Sequence, residues 1–305
     1  MAAHGGEASL IDEARAAGCD ALHPGEGDAV RQAALAERCR HLGLRFLGAE
    51  TALLEAMAND RTMRQSMREA GLPLAMPESD GEIVAMSLLA DRFGRVLYLS
   101  PRQCRGDAAV APLNGLTVER YRYLGELAAR GVARLGVVGL VEMRFCVAGN
   151  RLGFVDMRSG PTGDEALDEA LVGLDPLVKQ LRVLAGEPLR ERQSRVSLNG
   201  QARLWRLEPP SDGVFTGGPG VRLDRCEQGG QARLLVWGRR PEEVERRAWR
   251  VFAEWWGTRR PADACEPVWH RHFPCGAGFA ILHCSNRVAC RSRSGPCHGA
   301  PRCMP

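Results

Sequence analysis

The chain has 305 residues, of which 45% are hydrophobic and 26% are charged, as in ordinary globular proteins. This length allows about two domains with a sizeable core. The net charge of +4 is spread along the chain and no stretch approaches the ~20 apolar residues of a membrane span, so we expect neither nucleic-acid binding nor membrane insertion. The N-terminus has no signal-peptide pattern, which favours a cytoplasmic protein.

Arginine supplies almost all of the positive charge, and Lys179 is the only lysine. A guanidinium group cannot release its proton as an ammonium group can, so arginine does not replace a catalytic lysine. The composition therefore excludes any mechanism that needs several lysines.

The first part of the chain, up to residue 78, alternates between helix and strand signals. The predicted helices are Ile11–Ala17, Asp28–Leu42, Thr51–Met57 and Arg61–Ala70, and the predicted strands are Asp20–His23 and Leu44–Gly48. Such alternation is typical of a parallel sheet with covering helices. Because no strand with a Gly-rich turn precedes it, we expect only part of a nucleotide-binding sheet.

The central and C-terminal parts change character. We predict hairpins at Ile83–Ala90 with Arg95–Leu99 and at Val141–Val147 with Arg151–Met157, helices at Thr117–Leu135 and Pro241–Trp256, and a largely helical stretch at Asp164–Gly186. Residues 197–240 are predicted to form short strands. The aromatic run Trp249, Phe252, Trp255 and Trp256 has helical spacing and predicts core packing.

After Gly257 the periodicity ends. The last 49 residues hold six of the eleven cysteines and four of the seven histidines. Thiolate and imidazole both bind zinc, but the spacing is irregular and no C-x-x-C pair occurs, so disorder is the preferred interpretation and a metal site the alternative.

Several segments, in order, carry a resemblance to one family. They are residues 17–25 (AGCDALHPG), 46–48 (FLG), 68–73 (REAGLP), 89–94 (LADRFG), 173–175 (GLD), 180–189 (QLRVLAGEPL), 218–222 (GPGVR) and 235–238 (LVWG). Together they resemble biotin carboxylase, the ATP-grasp subunit or domain of acetyl-CoA, propionyl-CoA and pyruvate carboxylases.

The resemblance implies a mixed α/β and α+β fold with three parts and a tail. These are a partial N-terminal parallel α/β domain (1–78), an ATP-grasp-like body (79–190), a C-terminal β-rich domain (191–256) and the Cys/His-rich tail (257–305). It also implies a ligase that uses ATP and Mg²⁺ to carboxylate biotin on a carrier protein with bicarbonate, a reaction that serves fatty acid biosynthesis in acetyl-CoA carboxylase.

The residues expected to hold ATP are largely replaced. The family's Gly-rich lid is missing, because residues 77–81 (PESDG) lead almost directly to the first hairpin. The resemblance places Arg61 where the family has a phosphate-gripping lysine, which leaves a possible phosphate contact. An adenine-side histidine of the family is replaced by Ile83.

The expected metal and catalytic positions are also altered. The resemblance places Arg144 at one glutamate that binds Mg²⁺ and Asp156 at the other, so Asp156 is a possible vestigial ligand. Asp164 matches the general base for bicarbonate, although the sequence shows no residue that would orient it. Arg206 matches the arginine that stabilises the biotin enolate, and a surface arginine is an equal alternative for it.

Two other groups have a functional and a simpler interpretation. Asp156, Asp164 and Asp168 could form a carboxylate cluster for hydrolysis or metal binding. However, Asp164 and Asp168 are four residues apart on one helical face, and such a pair is most often solvated on the surface, so that interpretation is favoured. His23, in the sequence His-Pro-Gly, suits a general base, but a turn histidine bonded to the backbone is favoured.

The sequence therefore predicts a truncated and degenerate biotin-carboxylase-like protein without catalytic activity. The alternative is a non-catalytic regulatory or scaffold partner of an acyl-CoA carboxylase complex. That alternative predicts a dimer, or binding to the biotin carboxyl carrier protein or other carboxylase subunits.

Overall fold

The computed structural model describes residues 7–76, 81–149, 151–210, 214–225 and 231–256. The predictions for most of the 77–81 connection and for the Cys/His-rich tail lie outside these residues. In the described part of the chain, no helix combines the length and the apolar character needed to cross a membrane.

The N-terminal part consists of helices and a two-stranded parallel sheet. The helices are α1 (Glu7–Ala16), α2 (Ala29–His41), α3 (Thr51–Ala58) and α4 (Asp60–Glu69), and the strands are β1 (Ala21–Leu22) and β2 (Arg45–Phe46). Asp28 and Asn59 cap α2 and α4, because their side chains accept hydrogen bonds from the main-chain N–H groups of Arg31 and Thr62. The predicted parallel pairing is confirmed, and it spans two residues in each strand.

The rest of the described chain is organised around one antiparallel sheet of eight strands. They are β3 (Glu82–Ala90), β4 (Val96–Arg105), β5 (Ala108–Ala111), β6 (Gly139–Ala148), β7 (Arg151–Ser159), β8 (Gln201–Leu207), β9 (Val221–Arg225) and β10 (Ala232–Gly238). The strand order is β7-β6-β3-β4-β5-β8-β10-β9. Both predicted hairpins are confirmed. The short strand β5 was not predicted, and it joins the first four strands to the last three.

Four helices accompany this sheet: α5 (Val118–Arg134), α6 (Glu165–Val172), α7 (Pro176–Leu184) and α8 (Pro241–Trp256). The stretch Asp164–Gly186 was expected to be largely helical, and it divides into α6 and α7. Gly173 ends α6 in the left-handed conformation (φ +70°), and the side chain of Asp175 then caps α7.

The two faces of the sheet are covered by different helices. Val84, Met86 and Leu88 alternate with Ala85 and Ser87 along β3, so they point to the face on which α4 and α5 pack. Helix α8 covers the same face at β8 and β10. The opposite face lies under α6 and α7, and polar side chains are buried there together with apolar ones.

The aromatic residues of α8 only partly follow the prediction of core packing. Trp255 is buried, and the ring of Phe252 packs edge-on against Trp205 with ring centroids 5.4 Å apart. The prediction is wrong for Trp249, which is 57% exposed because it lies on the outer side of the helix.

Candidate functional site

Arg102 lies at the centre of a buried group of charged residues between β4 and α6. Its side chain is fully buried. Its Nη1 donates to Ser87 Oγ at 2.9 Å, its Nε donates to Asp164 Oδ2 at 3.2 Å, and its Nη2 donates to Glu142. We call Arg102, Glu142, Asp164 and Asp168 the Arg102 cluster. One guanidinium group thus serves three carboxyl groups, which is the kind of pairing that makes a buried charge tolerable.

Asp168 is the most deeply enclosed carboxyl group of the cluster. Its Oδ1 accepts the main-chain N–H of Ser100 at 2.9 Å, and its Oδ2 lies 3.6 Å from Arg102 Nη1. Burial raises the pKa of Asp168 to about 7, although the neighbouring Arg102 opposes that shift. The carboxyl group is therefore partly protonated near neutral pH.

The prediction that Asp164 and Asp168 form solvated surface is wrong. Asp164 is 3% exposed and Asp168 is 0% exposed. Their four-residue spacing does place them on one side of the helix, as expected. That side, however, also carries the buried Leu167 and Leu171, so it faces the sheet and not the solvent.

The expectation that no residue orients Asp164 is also wrong. Arg102 binds one carboxylate oxygen, and Arg206 on β8 donates to the other through Nη2. The main-chain N–H of Arg206 donates to the carbonyl of Asp107 at 2.8 Å. The side chain of Arg206 is 32% exposed. Arg206 is thus a partner of the candidate base, at the outer side of the cluster.

The loop before α6 is held by the carboxylate of Glu165, the first residue of that helix. Glu165 accepts hydrogen bonds from the main-chain N–H groups of Thr162 at 2.7 Å and Gly163 at 2.9 Å. The hydroxyl of Thr162 also donates to Glu142 at 3.3 Å, which connects the loop to the cluster. Adjacent main-chain N–H groups of this kind are typical anion-binding groups, and here Glu165 occupies them.

Asp156 does not join the other aspartates. It lies opposite Arg144 in the β6–β7 hairpin, where Arg144 Nε donates to Asp156 Oδ1 at 2.7 Å and Nη2 donates to Oδ2. The two side chains are 27% and 35% exposed. Both oxygens of the predicted metal ligand therefore accept hydrogen bonds from a guanidinium group.

Arg61 is separated from the other predicted site residues. It is exposed in the first turn of α4, and the buried Met63 and Met67 of that helix pack on the opposite face of the sheet from the Arg102 cluster. Among the described residues, no hydrogen bond or ion pair joins Arg61 to Asp156, Asp164 or Arg206.

His23 is a turn histidine bonded to the backbone, as the favoured interpretation predicted. Its Nδ1 accepts the main-chain N–H of Gly25 at 3.0 Å, so the imidazole stabilises the His-Pro-Gly turn. Burial lowers the pKa of His23, which favours the neutral acceptor form.

Arg102, Glu142 and Glu165 were not recognised as site residues in the sequence. The alternation of β6 contained a signal for Glu142, because Val141 and Met143 point to the apolar face under α5 and Glu142 must point to the other. Arg102 gave no comparable signal, since β4 has a register shift opposite Met86–Leu88 that breaks its alternation.

The carboxylates at these positions do not fit a set of Mg²⁺ ligands. Mg²⁺ requires free carboxylate oxygens, and here Asp156, Asp164 and Glu142 each accept from an arginine. No group of three or more His, Cys, Asp or Glu side chains suited to a metal ion occurs among the described residues. The carboxylates of Asp156, Asp164 and Glu142 instead form ion pairs with arginines of the same chain.

Comparisons with known proteins agree with the resemblance seen in the sequence. Residues 82–192 match the model of the carbamoyl-phosphate synthase L chain, ATP binding domain. The chain is 24% identical to the biotin carboxylase of Allochromatium vinosum, in an alignment covering 71% of this chain and 68% of that protein. It is 22% identical to the 2-oxoglutarate carboxylase small subunit of Hydrogenobacter thermophilus, covering 75% of this chain and 69% of that protein.

A similar fold has been solved in a complex. The biotin carboxylase domain dimer of Hydrogenobacter thermophilus 2-oxoglutarate carboxylase, with MgADP, ADP and bicarbonate, superposes with a TM-score of 0.72 at 20% sequence identity. The superposition covers 80% of this chain and 76% of that one. The fold is therefore similar to that of biotin carboxylases.

Proposed function

We propose that this chain, which is similar in sequence and fold to biotin carboxylases, is a biotin-carboxylase-like protein that does not carry out the carboxylation reaction. One observation carries the proposal: a fully buried arginine, Arg102, lies among the carboxyl groups of the candidate site and is paired with Glu142, Asp164 and Asp168.

The charge balance explains why this arrangement disfavours catalysis. Stabilisation of a transferring phosphoryl group needs metal ions and fixed cations placed around the phosphate. In the Arg102 cluster the cation is bound to carboxylates and is enclosed, so it is not free to contact a phosphate. Arg144 also binds a carboxylate, that of Asp156 at the hairpin, although its side chain is 27% exposed. Displacing either arginine would leave a buried or half-buried charge without a partner, which is costly.

A direct assay tests this proposal. We expect no bicarbonate-dependent ATP hydrolysis above background with free biotin, and no heat of binding when Mg·ATP is titrated into the folded chain. Turnover in the usual enzyme range, about 1–10³ s⁻¹, would overturn it. Circular dichroism of the same sample shows whether the protein assayed is folded.

A regulatory or scaffold role within a carboxylase complex is the second candidate function. It is favoured by the relative named as the small subunit of 2-oxoglutarate carboxylase, since a chain of similar sequence is one part of a larger assembly. The present chain would then bind a carboxylase subunit or the biotin carboxyl carrier protein. Co-purification with either protein supports this role, and failure to bind both contradicts it.

A further inference from the structure

The chain contains two Leu-Asn-Gly sequences, at residues 113–115 and 198–200, and both asparagines are exposed. In an Asn-Gly pair the main-chain nitrogen of the glycine can attack the side-chain carbonyl carbon of the asparagine, because glycine has no Cβ that blocks the approach. The bond from that carbon to the amide nitrogen breaks, ammonia leaves and a cyclic imide forms. A water molecule from the solvent then opens the imide and gives aspartate or isoaspartate.

The first pair, Asn114-Gly115, lies in an open turn. The main-chain N–H of Leu116 donates to the carbonyl of Leu113 at 3.2 Å, and Gly115 has a φ of +67°. Apart from its chain neighbours, no atom lies within 4 Å of the position that a Cβ on Gly115 would take. Among the described residues, neither the main-chain N–H of Gly115 nor the side chain of Asn114 makes a hydrogen bond. Both reacting groups are therefore free, and the turn has room to change its main-chain angles.

The second pair, Asn199-Gly200, is held on both sides. The main-chain N–H of Asn199 donates to the carbonyl of Leu171 at 2.9 Å, and its Nδ2 donates to the carbonyl and the hydroxyl of Ser197 at 3.4 and 3.3 Å. A Cβ on Gly200 would lie 2.2 Å from the carbonyl oxygen of Gly238, so the end of β10 lies directly against this glycine. Attack by the Gly200 nitrogen would require the pair to move away from both contacts.

We propose that Asn114 is a site of covalent self-modification in the folded protein, and that the fold protects Asn199, which has the same flanking residues. Ring closure depends on how often the attacking nitrogen and the carbonyl carbon reach the geometry of attack. The open turn at Asn114 can reach this geometry while the rest of the protein stays folded. Asn199 can reach it only after a local opening that breaks its contacts with α6 and β10, and such openings are rare in packed regions.

The modification falls in the connection between β5 and α5. Aspartate at position 114 adds a negative charge shortly before Thr117, whose side chain caps the N-terminal end of α5. This end of a helix favours a negative charge, so the aspartate product is expected to remain folded. The isoaspartate product also lengthens the main chain by one methylene group, next to Leu113, which packs against the core on the α5 side of the sheet.

Peptide mapping of the full chain tests the proposal. The folded protein is incubated at mildly alkaline pH and then digested with trypsin, and the mass gain of about one dalton that replaces an amide by a carboxyl group is followed with time. Cleavage after arginine separates the two asparagines into the peptides 106–120 and 196–203. We expect the first peptide to convert at least about tenfold faster than the second. In a parallel sample unfolded in guanidinium, the two peptides should convert at similar rates, because the flanking residues are the same.

Two variants complete the test. Asn114→Gln should abolish the mass gain in peptide 106–120 and leave peptide 196–203 unchanged, and Asn114→Asp should keep the circular dichroism spectrum and the urea midpoint of the wild type. Equal rates for the two peptides in the folded chain would overturn the proposal. So would a folded chain in which peptide 106–120 does not convert although the unfolded sample does. None of these outcomes depends on whether the chain hydrolyses ATP, so this inference stands or falls separately from the proposed function.

Discussion

The Arg102 cluster and the Arg144–Asp156 pair are two charged regions on the same face of the sheet. Arg102 and Arg144 lie on the strands that flank β3, and both are in register with Ala85. Arg102 on β4 is fully buried where α6 packs on that strand, whereas Arg144 on β6 is 27% exposed. The same ion-pair chemistry should therefore be required for folding in the first region and contribute little in the second.

The largest expected effect comes from Arg102→Met. This change leaves the carboxyl groups of Glu142, Asp164 and Asp168 enclosed without their shared cation, so we expect a loss of about 3–5 kcal/mol in the free energy of unfolding. Urea denaturation followed by circular dichroism measures it. Arg105→Met is the control, because Arg105 is 48% exposed beside Glu82 and should contribute less than about 1 kcal/mol. Equal losses in the two variants would contradict the distinction between the regions.

Asp168→Asn should change how stability depends on pH. The pKa of Asp168 is raised by burial from 3.8 to about 7, so the folded state binds more protons than the unfolded state between these values. Stability should therefore fall as pH rises through this window, by up to about 1.4 kcal/mol per pH unit. The asparagine variant lacks this contribution and should gain stability relative to wild type above pH 7.

Urea denaturation at pH 5, 6, 7 and 8 measures the effect for both proteins. The contribution of Asp168 is fully present below its unfolded pKa and is lost above pH 7. The difference in stability between the two proteins should therefore change within that window and stay constant above it. Parallel curves would show that Asp168 is ionised in the folded state throughout.

Glu165→Ala should have an intermediate effect. It leaves the main-chain N–H groups of Thr162 and Gly163 without their acceptor, which resembles the loss of a helix cap and costs about 1–2 kcal/mol. Glu169→Ala on the same helix is the matched control, because Glu169 is 49% exposed and pairs with the exposed Arg222. A loss in the control as large as that in Glu165→Ala would show that the loop does not depend on the Glu165 carboxylate.

The sequence predicted most of the fold and little of the site. Helical and strand periodicity located α2, α5, α8 and both hairpins, because each buries one regular apolar stripe or face. The same reasoning failed for Asp164 and Asp168, since helical spacing shows that two residues share a side but not whether that side is buried. Arg102 could not be identified either, because its burial depends on α6, which is more than sixty residues away in the sequence.

The smallest change in stability should come from Arg144→Gln. The activity of this variant also tests which of the two regions prevents catalysis. Arg144 and Asp156 are both partly exposed, so breaking their pair should alter the free energy of unfolding by less than about 1 kcal/mol in urea denaturation. The change frees both oxygens of Asp156, the predicted metal ligand, and leaves the Arg102 cluster intact. If the cluster is what excludes the nucleotide, the variant should remain without bicarbonate-dependent ATP hydrolysis and without a heat of Mg·ATP binding. Recovery of either would assign the block to the hairpin pair, and the buried arginine would then be a structural element alone.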